Sequence, residues 1–384
     1  MSGIYLHIPF CKQACHYCNF HFSTSLKNKD SLVQAMIQEI EFRKDYLADN
    51  YLESIYFGGG TPSLLSQSDL ENLFEKIFKH FSVAPNAEVT LEANPDDLNP
   101  EKLQMLQNLP VNRLSIGVQS FFDEDLKFWN RVHNKSEAET CIKTAQDFGF
   151  ENLTVDLIYG SPTTPHENWL YNIGQLLKLQ VPHLSCYALT VEEKTALAHF
   201  VKSGKAKQPD DDHAATQFEM LMEQMTKNGY DHYEISNFAK PGFYAVHNSS
   251  YWKGKNYLGV GPAAHSFDGT SRQWNIANNA FYIRIIEAIS KGIEPPKPLF
   301  EKEILSKAQR FNEYVMTGMR TIWGCSDEKI DSFGEAFKIY FLERIQPYLQ
   351  NGLMVQKQGS FVLTPKGKLL ADQIASEIFY LEEE

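Results

Sequence analysis

From Ile4 to about Thr190, short runs of β-branched and aromatic residues alternate with longer segments whose apolar positions recur every three to four residues. That rhythm predicts repeated βα units around a mostly parallel sheet. Strands are expected at 4–8, 54–57, 88–92, 114–118, 154–158 and 184–189, and helices at 32–47, 68–81, 100–109, 136–148 and 167–179. Ser68 and Glu71 have the spacing of a capping box. Six such units without a seventh and eighth suit either an open barrel or a doubly wound sheet, and periodicity does not separate the two. Polar residues gather where strands meet their following loops, at Glu92 to Pro95, Gln119 with Ser120, and Asp156 to Gly160. Ligands sit at that end in both architectures, and a barrel-like active face is favoured.

After Thr190 the pattern changes. A Lys-rich turn, a helix at 213–228 and a Gly- and aromatic-rich stretch at 230–279 are expected to cover the open side of the sheet, and Pro295, Pro296 and Pro298 then mark a boundary. Beyond it come helices at 303–317, 326–333 and 337–350, short strands at 353–355 and 361–363, and a last helix from Pro365, the order of a winged helix. Three domains follow: 1–200, a barrel; 201–299, a covering region; and 300–384, a winged-helix-like unit. Such a unit often binds DNA, but residues 310–384 hold 8 Lys or Arg against 11 Asp or Glu. Lacking a basic footprint, it is expected to pack or to dock a partner.

The totals narrow the function. A chain of 384 residues builds one large core and a smaller unit. Its formal charge of −12 repels phosphate backbones, so no nucleic-acid partner is expected. No apolar run approaches the roughly 20 residues of a membrane span, and the start of the chain carries no export signal. Of 6 cysteines, Cys11, Cys15 and Cys18 lie together and Cys141, Cys186 and Cys325 are scattered. This is a local ligand set plus buried thiols, not a disulfide framework, and a reducing, cytoplasmic location is expected.

Cys11, Cys15 and Cys18 follow the first strand on one tight loop. Thiolates are the preferred ligands of both zinc and iron–sulfur clusters. A closed zinc site would recruit His16 or His21 as a fourth ligand, whereas a four-iron cube on three thiolates leaves one iron open to a small ligand. Three idle thiols are the bland alternative, against which the dense spacing argues. Gly58, Gly59 and Gly60 directly follow the second strand and let a ligand lie against bare backbone. Neither a nucleoside-triphosphate loop nor a dinucleotide fingerprint is present, and a lone triple glycine is more often a turn. Glu92, Gln119, Arg131 and Asp156 stand at or just after strand ends. Singly, each suits a cap or an ion pair; together they suit a zwitterionic nucleoside, Arg131 gripping a carboxylate, Glu92 taking an ammonium, and Gln119 with Asp156 taking ribose hydroxyls.

The run from Leu6 to Cys11, the three-cysteine spacing, Gly58 to Pro62, Gly117 to Ser120 and Asp156 to Gly160 resemble the radical S-adenosylmethionine family, in its oxygen-independent coproporphyrinogen III oxidase group. The resemblance implies an α/β fold: a partial (β/α)6 TIM-like barrel with additional α/β elements and a C-terminal winged-helix-like domain. It also implies a 4Fe-4S cluster on Cys11, Cys15 and Cys18, with S-adenosylmethionine chelating the open iron. Tyr5, Gly59, Gly60, Glu92, Gln119, Arg131 and Asp156 match positions that surround the nucleoside or cluster in that family.

Two activities compete within the group. The oxidase decarboxylates coproporphyrinogen III in porphyrin biosynthesis; a haem chaperone branch binds haem and delivers it to haem proteins. The oxidase carries an extension ahead of the first strand and a further cysteine where this chain has Phe20, while the run from His247 to Trp252 resembles the His-Asn-x-x-Tyr-Trp signature of the chaperone branch. The chaperone reading is preferred, with haem as cargo and His247, Tyr251 and Trp252 as candidate haem contacts. His247 either ligates iron or holds a loop, with His7, His21 and His265 as rival ligands. A client haem protein is implied as partner, and the reading leaves room for a reductant such as flavodoxin or ferredoxin and for peripheral membrane contact.

Overall fold

In the computed structural model, which describes residues 2–381, all six expected strands form. They are β1 (Ser2–Ile8), β2 (Tyr51–Gly59), β3 (Ser82–Ala93), β4 (Arg113–Gln119), β5 (Leu153–Tyr159) and β6 (His183–Ala188). Each pairs with the next in parallel. Between them run α1 (Lys29–Phe42), α2 (Gln67–His80), α3 (Pro100–Gln107), α4 (Asp123–Phe128), α5 (Lys135–Asp147) and α6 (His166–Lys178). In α2 the buried residues Leu70, Leu73, Phe74 and Ile77 form the apolar stripe. Its capping box is built by Ser66 and Asp69, not Ser68 and Glu71: Asp69 N donates to Ser66 Oγ at 3.2 Å and Ser66 N to Asp69 Oδ2 at 2.9 Å. The helix begins at Gln67, which places Ser68 inside the first turn and Ser66 at the cap.

The strand period of two sorts the barrel into an apolar outside and a polar inside. Ile4, Leu6 and Ile8 of β1, Ile55 and Phe57 of β2, and Leu114, Ile116 and Val118 of β4 are fully buried in one core with the helices. The alternate positions, Tyr5 and His7, Ser54 and Tyr56, Glu88 and Glu92, Ser115, Asp156 and Ser185, share the other face. That face is where the functional side chains stand.

The middle region lengthens the sheet at both edges, correcting the expectation that it covers an open side. It comprises α7 (Ala196–Lys202), α8 (Asp211–Lys227), β7 (Asp231–Glu234), β8 (Asn237–Ala239), α9 (Val246–Trp252), β9 (Tyr257–Val260), β10 (His265–Phe267), β11 (Ser271–Asn275), α10 (Asn279–Ser290) and β12 (Phe300–Ile304). The twelve-stranded order is β12-β11-β10-β9-β1-β2-β3-β4-β5-β6-β8-β7, with β9 parallel to β1. Among the described residues no pairing joins the two ends, so the barrel is incomplete. Because β12 pairs with β11, the sheet runs through residue 304, past the boundary expected at 299. The next helix, expected from 303, starts after the Ser306 cap.

The remaining elements are α11 (Lys307–Met319), β13 (Cys325–Ser326), α12 (Asp327–Ser332), α13 (Glu335–Gln350), β14 (Met354–Lys357), β15 (Ser360–Leu363), α14 (Pro365–Lys368) and α15 (Ala371–Ile378). They enclose a second core around Phe311, Phe341 and Ile374. The expected first and last domains also include Met1 and residues 382–384, which lie outside the described residues. The unit docks on β7 through a bridge between Glu234 and Thr321 and an ion pair from Arg320 to the buried Glu234 at 3.2 Å. No described helix is long and apolar enough to cross a membrane.

Candidate functional site

The loop after β1 is closed at its base, where Cys11 N donates to Ser23 O at 3.1 Å and Ser23 N to Pro9 O at 2.8 Å. The turn after α4 grips its far side: His16 N donates to Trp129 O at 3.1 Å, and Asn130 Nδ2 to Ala14 O at 2.8 Å. Backbone and amide bonds therefore shape the loop at both ends. Cys11, Cys15 and Cys18 are free thiols, partly exposed. The Cys11 thiol is pushed up to about 11, by burial first and also by the neighbouring cysteines, against the opposing effect of Thr61 and Arg131. Cys18 is also raised, by burial first. Sulfurs ionised this close together would repel one another, and cations bound between them would relieve that repulsion.

Beside this loop, Gly59 lies in left-handed backbone at φ +105°, and a Cβ there would come within 2.6 Å of the His7 ring; one on Gly60 would come within 2.6 Å of Phe10 O. Bare backbone is thus required where β2 meets the cluster loop. Glu92, on the neighbouring strand, accepts from Tyr56 Oη at 2.7 Å and from Gly59 N at 3.0 Å. Burial pushes its carboxyl up to about 6, these two bonds opposing the shift. Asp156 is pushed further, to about 7, by burial and then by the charge of Glu92, with Arg131, Ser185 and Ser115 pulling it down. Two carboxyls raised inside one polar barrel are prepared for a cation. Gln119 ends β4 at φ +70°, where the pairing with β5 is irregular.

Arg131 is committed more deeply than the sequence implies. Nη2 donates to Asn94 Oδ1 and to Gly117 O, both at 2.6 Å, and Nη1 to Cys15 Sγ at 3.4 Å. Nε is buried without a partner among the described residues. The free bidentate fork expected for a carboxylate is absent, because the guanidinium ties the cluster loop to β4. Nε is left as the unsatisfied donor.

His247 lies at the other end of the barrel. Its Nδ1 bonds Ser54 Oγ at 2.8 Å, its Nε2 bonds Tyr251 Oη at 2.7 Å, and its ring stacks on Tyr56 with centroids 4.9 Å apart. The Glu88 carboxylate accepts from the backbone N–H of Val246 and His247 at 2.8 and 2.9 Å, capping α9. Glu88 precedes Glu92 by four residues on β3, about 13 Å at roughly 3.3 Å per residue. With both ring nitrogens engaged and the residue buried, His247 offers no free nitrogen to an iron. Its bonds to Ser54, Tyr251 and Glu88 are those of the sequence alternative in which it holds local structure, at the floor of the barrel.

A cleft of about 1600 Å³ runs along the open side of the barrel to the C-terminal unit. Tyr5 and His7 reach it from β1, Phe20 and His21 from the cluster loop, and Tyr251 and Trp252 from α9, whereas His247 is not part of its wall. Phe20, standing where the oxidase resemblance calls for a cysteine, is 67% exposed there.

Comparison with known proteins fits this arrangement. Residues 5–171 match the radical SAM superfamily and residues 305–370 the HemN C-terminal domain. The heme chaperone HemW of Bacillus subtilis is 33% identical over 377 residues, covering 97% of this chain and 98% of that one. The chain belongs to the HemW family of the radical SAM superfamily. The heme chaperone HemW of Mycobacterium tuberculosis H37Rv is 34% identical over 376 residues, covering 97% and 93%. The solved coproporphyrinogen III oxidase HemN of Escherichia coli superposes with a TM-score of 0.82 over 98% of this chain and 90% of that one, at 21% identity, so the fold is shared.

The residues present fit the family's cofactors, and the chain is a 4Fe-4S and S-adenosylmethionine-binding protein. Cys11, Cys15 and Cys18 would hold the cluster. A cube offers each thiolate a different iron, so its ligands do not converge on one ion-sized point, and among the described residues no such point exists. Gly59 and Gly60 would form the backbone cradle, and Glu92, Asp156, Gln119 and the unsatisfied Arg131 Nε are the groups that would stand about the nucleoside. Sequence reasoning did not single out Tyr56, Ser115 and Ser185, and it placed Asn94 only within a polar strand-end run, although all four fix these groups. Their signal was phase: Tyr56, Ser115 and Ser185 fall on the inward positions of their strands, and Asn94 directly follows β3.

Proposed function

We propose that the protein binds haem in the cleft beside its cluster loop and passes it to a client haem protein. The observation that carries this reading is the cleft itself. Its 1600 Å³ exceeds the 300–1,000 Å³ typical of small-ligand sites and accommodates a tetrapyrrole with room to release it. Tyr251, Trp252, Tyr257 and Phe267 offer flat apolar surface, and imidazoles stand among them. The HemW relatives carry the name heme chaperone.

Cluster and cargo share a loop. Cys18 and the cleft residue Phe20 are two positions apart, so the backbone that holds the sulfurs also shapes one wall of the haem site. When bound and reduced, the cluster and S-adenosylmethionine supply one-electron chemistry, for which a flavodoxin or ferredoxin is the fitting donor. The protein's own residues hold the cosubstrate, exclude water and position the cargo.

The test is anaerobic protein with reconstituted cluster, assayed in parallel for haem binding and for conversion of coproporphyrinogen III. Stoichiometric haem uptake, transfer to an apo-haem protein and no decarboxylation are expected. Turnover of coproporphyrinogen III without haem binding would replace the reading with that of an oxidase.

A further inference from the structure

Four imidazoles line the cleft, from His7, His21, His232 and His265. Their bonding separates them. His7 bonds Tyr5 Oη through Nδ1 at 3.0 Å and His21 O through Nε2 at 2.9 Å. His232 bonds Ile235 O at 3.0 Å and lies flat on Phe238 with centroids 4.1 Å apart. His21 bonds Asn279 Oδ1 through Nε2 at 2.7 Å. The exposed ring of His265 makes no hydrogen bond with any described residue.

The backbone presents that ring deliberately. Gly261 at φ +105° and Ala263 at φ +60° turn the chain sharply before β10. A Cβ on Gly259 would fall 1.9 Å from His265 O, so β10 approaches β9 to a distance only glycine allows. Across the next strand pair His265 faces Trp274, with ring centroids 6.3 Å apart. A rigid strand therefore holds an uncommitted imidazole against the cleft.

The charge of the wall is the second observation. Lys253, Lys255, Arg272, Arg310, Lys329 and Lys357 line the cleft against two acids, Asp231 and Glu313, in a chain of net charge −12. Lys255 is paired with Glu53 at 2.6 Å and Arg272 with Glu313 at 2.8 Å. Lys253, Arg310, Lys329 and Lys357 have no carboxylate partner among the described residues. An acidic protein that gathers unpaired cations round an aromatic cleft is built for an anionic, flat ligand.

We propose that His265 is the axial ligand to haem iron in this cleft, and that the unpaired cations around Arg310 receive the two porphyrin carboxylates. This rests on the haem reading above and names its metal contact. A neutral imidazole donates a nitrogen lone pair to the iron, and no oxidation or proton transfer is required.

Full-length, cluster-loaded protein is titrated anaerobically with ferric haem and followed by absorbance. His265→Ala, at an exposed position that leaves the fold intact, is expected to weaken binding at least tenfold and to lose the histidine-ligated Soret band, with added imidazole restoring the band. His21→Ala is expected to keep both affinity and spectrum. Arg310→Glu is expected to weaken haem more than its dimethyl ester. Unchanged affinity and spectrum in His265→Ala overturn the ligation, and equal losses for acid and ester overturn the carboxylate contact, in each case with haem binding itself intact. Failure of the unmodified protein to take up haem overturns the underlying reading instead.

Discussion

Arg131 Nη1 donates to Cys15 Sγ at 3.4 Å across 116 residues of chain, while Nη2 of the same guanidinium serves Asn94 and Gly117. One side chain thus ties the cysteine loop after β1 to β4 and to the residue that follows β3. Arg131→Ala should lower cluster retention and S-adenosylmethionine affinity together, with a loss of roughly 1.5 to 3 kcal/mol for each charged hydrogen bond abolished. Arg131→Lys keeps the charge but not the fork and should recover little. Iron and sulfide content measured beside a binding titration checks this. Normal cluster content with weakened binding would remove the link to Cys15.

Anaerobically reconstituted protein should hold about four irons and four sulfides per chain. Replacing Cys11, Cys15 or Cys18 with Ala should remove most of both, whereas Cys141→Ala should not, because Cys141 lies on the buried face of α5 and its thiol donates to Ala138 O at 3.2 Å. Metal analysis that finds a single tightly held zinc would refute the cluster assignment.

Glu92 gives the apoprotein a definite pH dependence. Its carboxyl is raised by burial from 4.5 to about 6 in the folded state, so the folded protein binds this proton more tightly than the unfolded chain does. Stability is then lost as pH rises from about 4.5 through 6, by up to roughly 2 kcal/mol. Asp156, raised to about 7, extends the loss toward neutrality. Buried His247, lowered to about 3, works in the opposite sense, so the test is a difference. Glu92→Gln should gain stability over the unmodified apoprotein as pH rises from 4.5 to 6.5 in denaturant titrations; parallel curves would show that Glu92 is not desolvated.

His247→Ala should act on the fold and not on the haem spectrum. It strands Ser54 Oγ and Tyr251 Oη and empties the stack on Tyr56, a cost of about 2 to 4 kcal/mol for a buried, doubly bonded ring. A lowered melting temperature with an unchanged Soret band is the expected pair of results. A shifted Soret band at unchanged stability would return His247 to the iron.

The parts of the fold that sequence reading captured are those with long periodic signals. Ile4, Leu6 and Ile8 alternate with Tyr5 and His7, and α2 repeats its apolar residues at three and four. The strands it missed, such as His265–Phe267 and Asp231–Glu234, are three and four residues long, too short for a period to declare itself. The cysteine loop was legible because all three ligands come from one stretch of chain. The role of His247 was not, since Tyr251 is its neighbour in sequence but Ser54 and Glu88 lie 193 and 159 residues away. Proximity to Tyr and Trp suggested a porphyrin platform, and only the register of β3 assigns the ring to the barrel floor. Arg131 was read as a ligand grip because a strand-end guanidinium advertises charge, while the carbonyl and the sulfur that claim it leave no mark on local sequence.

The parallel pairing of β1 with both β2 and β9 also sets a timetable for synthesis. β1 emerges from the ribosome before either partner, and β2 soon covers one of its edges. The other waits until Val260 has been made, some two hundred residues later. Throughout that interval a strand carrying Ile4, Leu6 and Ile8 presents an open row of amides, the kind of edge that recruits other nascent chains. Fragments ending after β6 should therefore associate through β1, and a peptide spanning β9 supplied in trans should suppress that association.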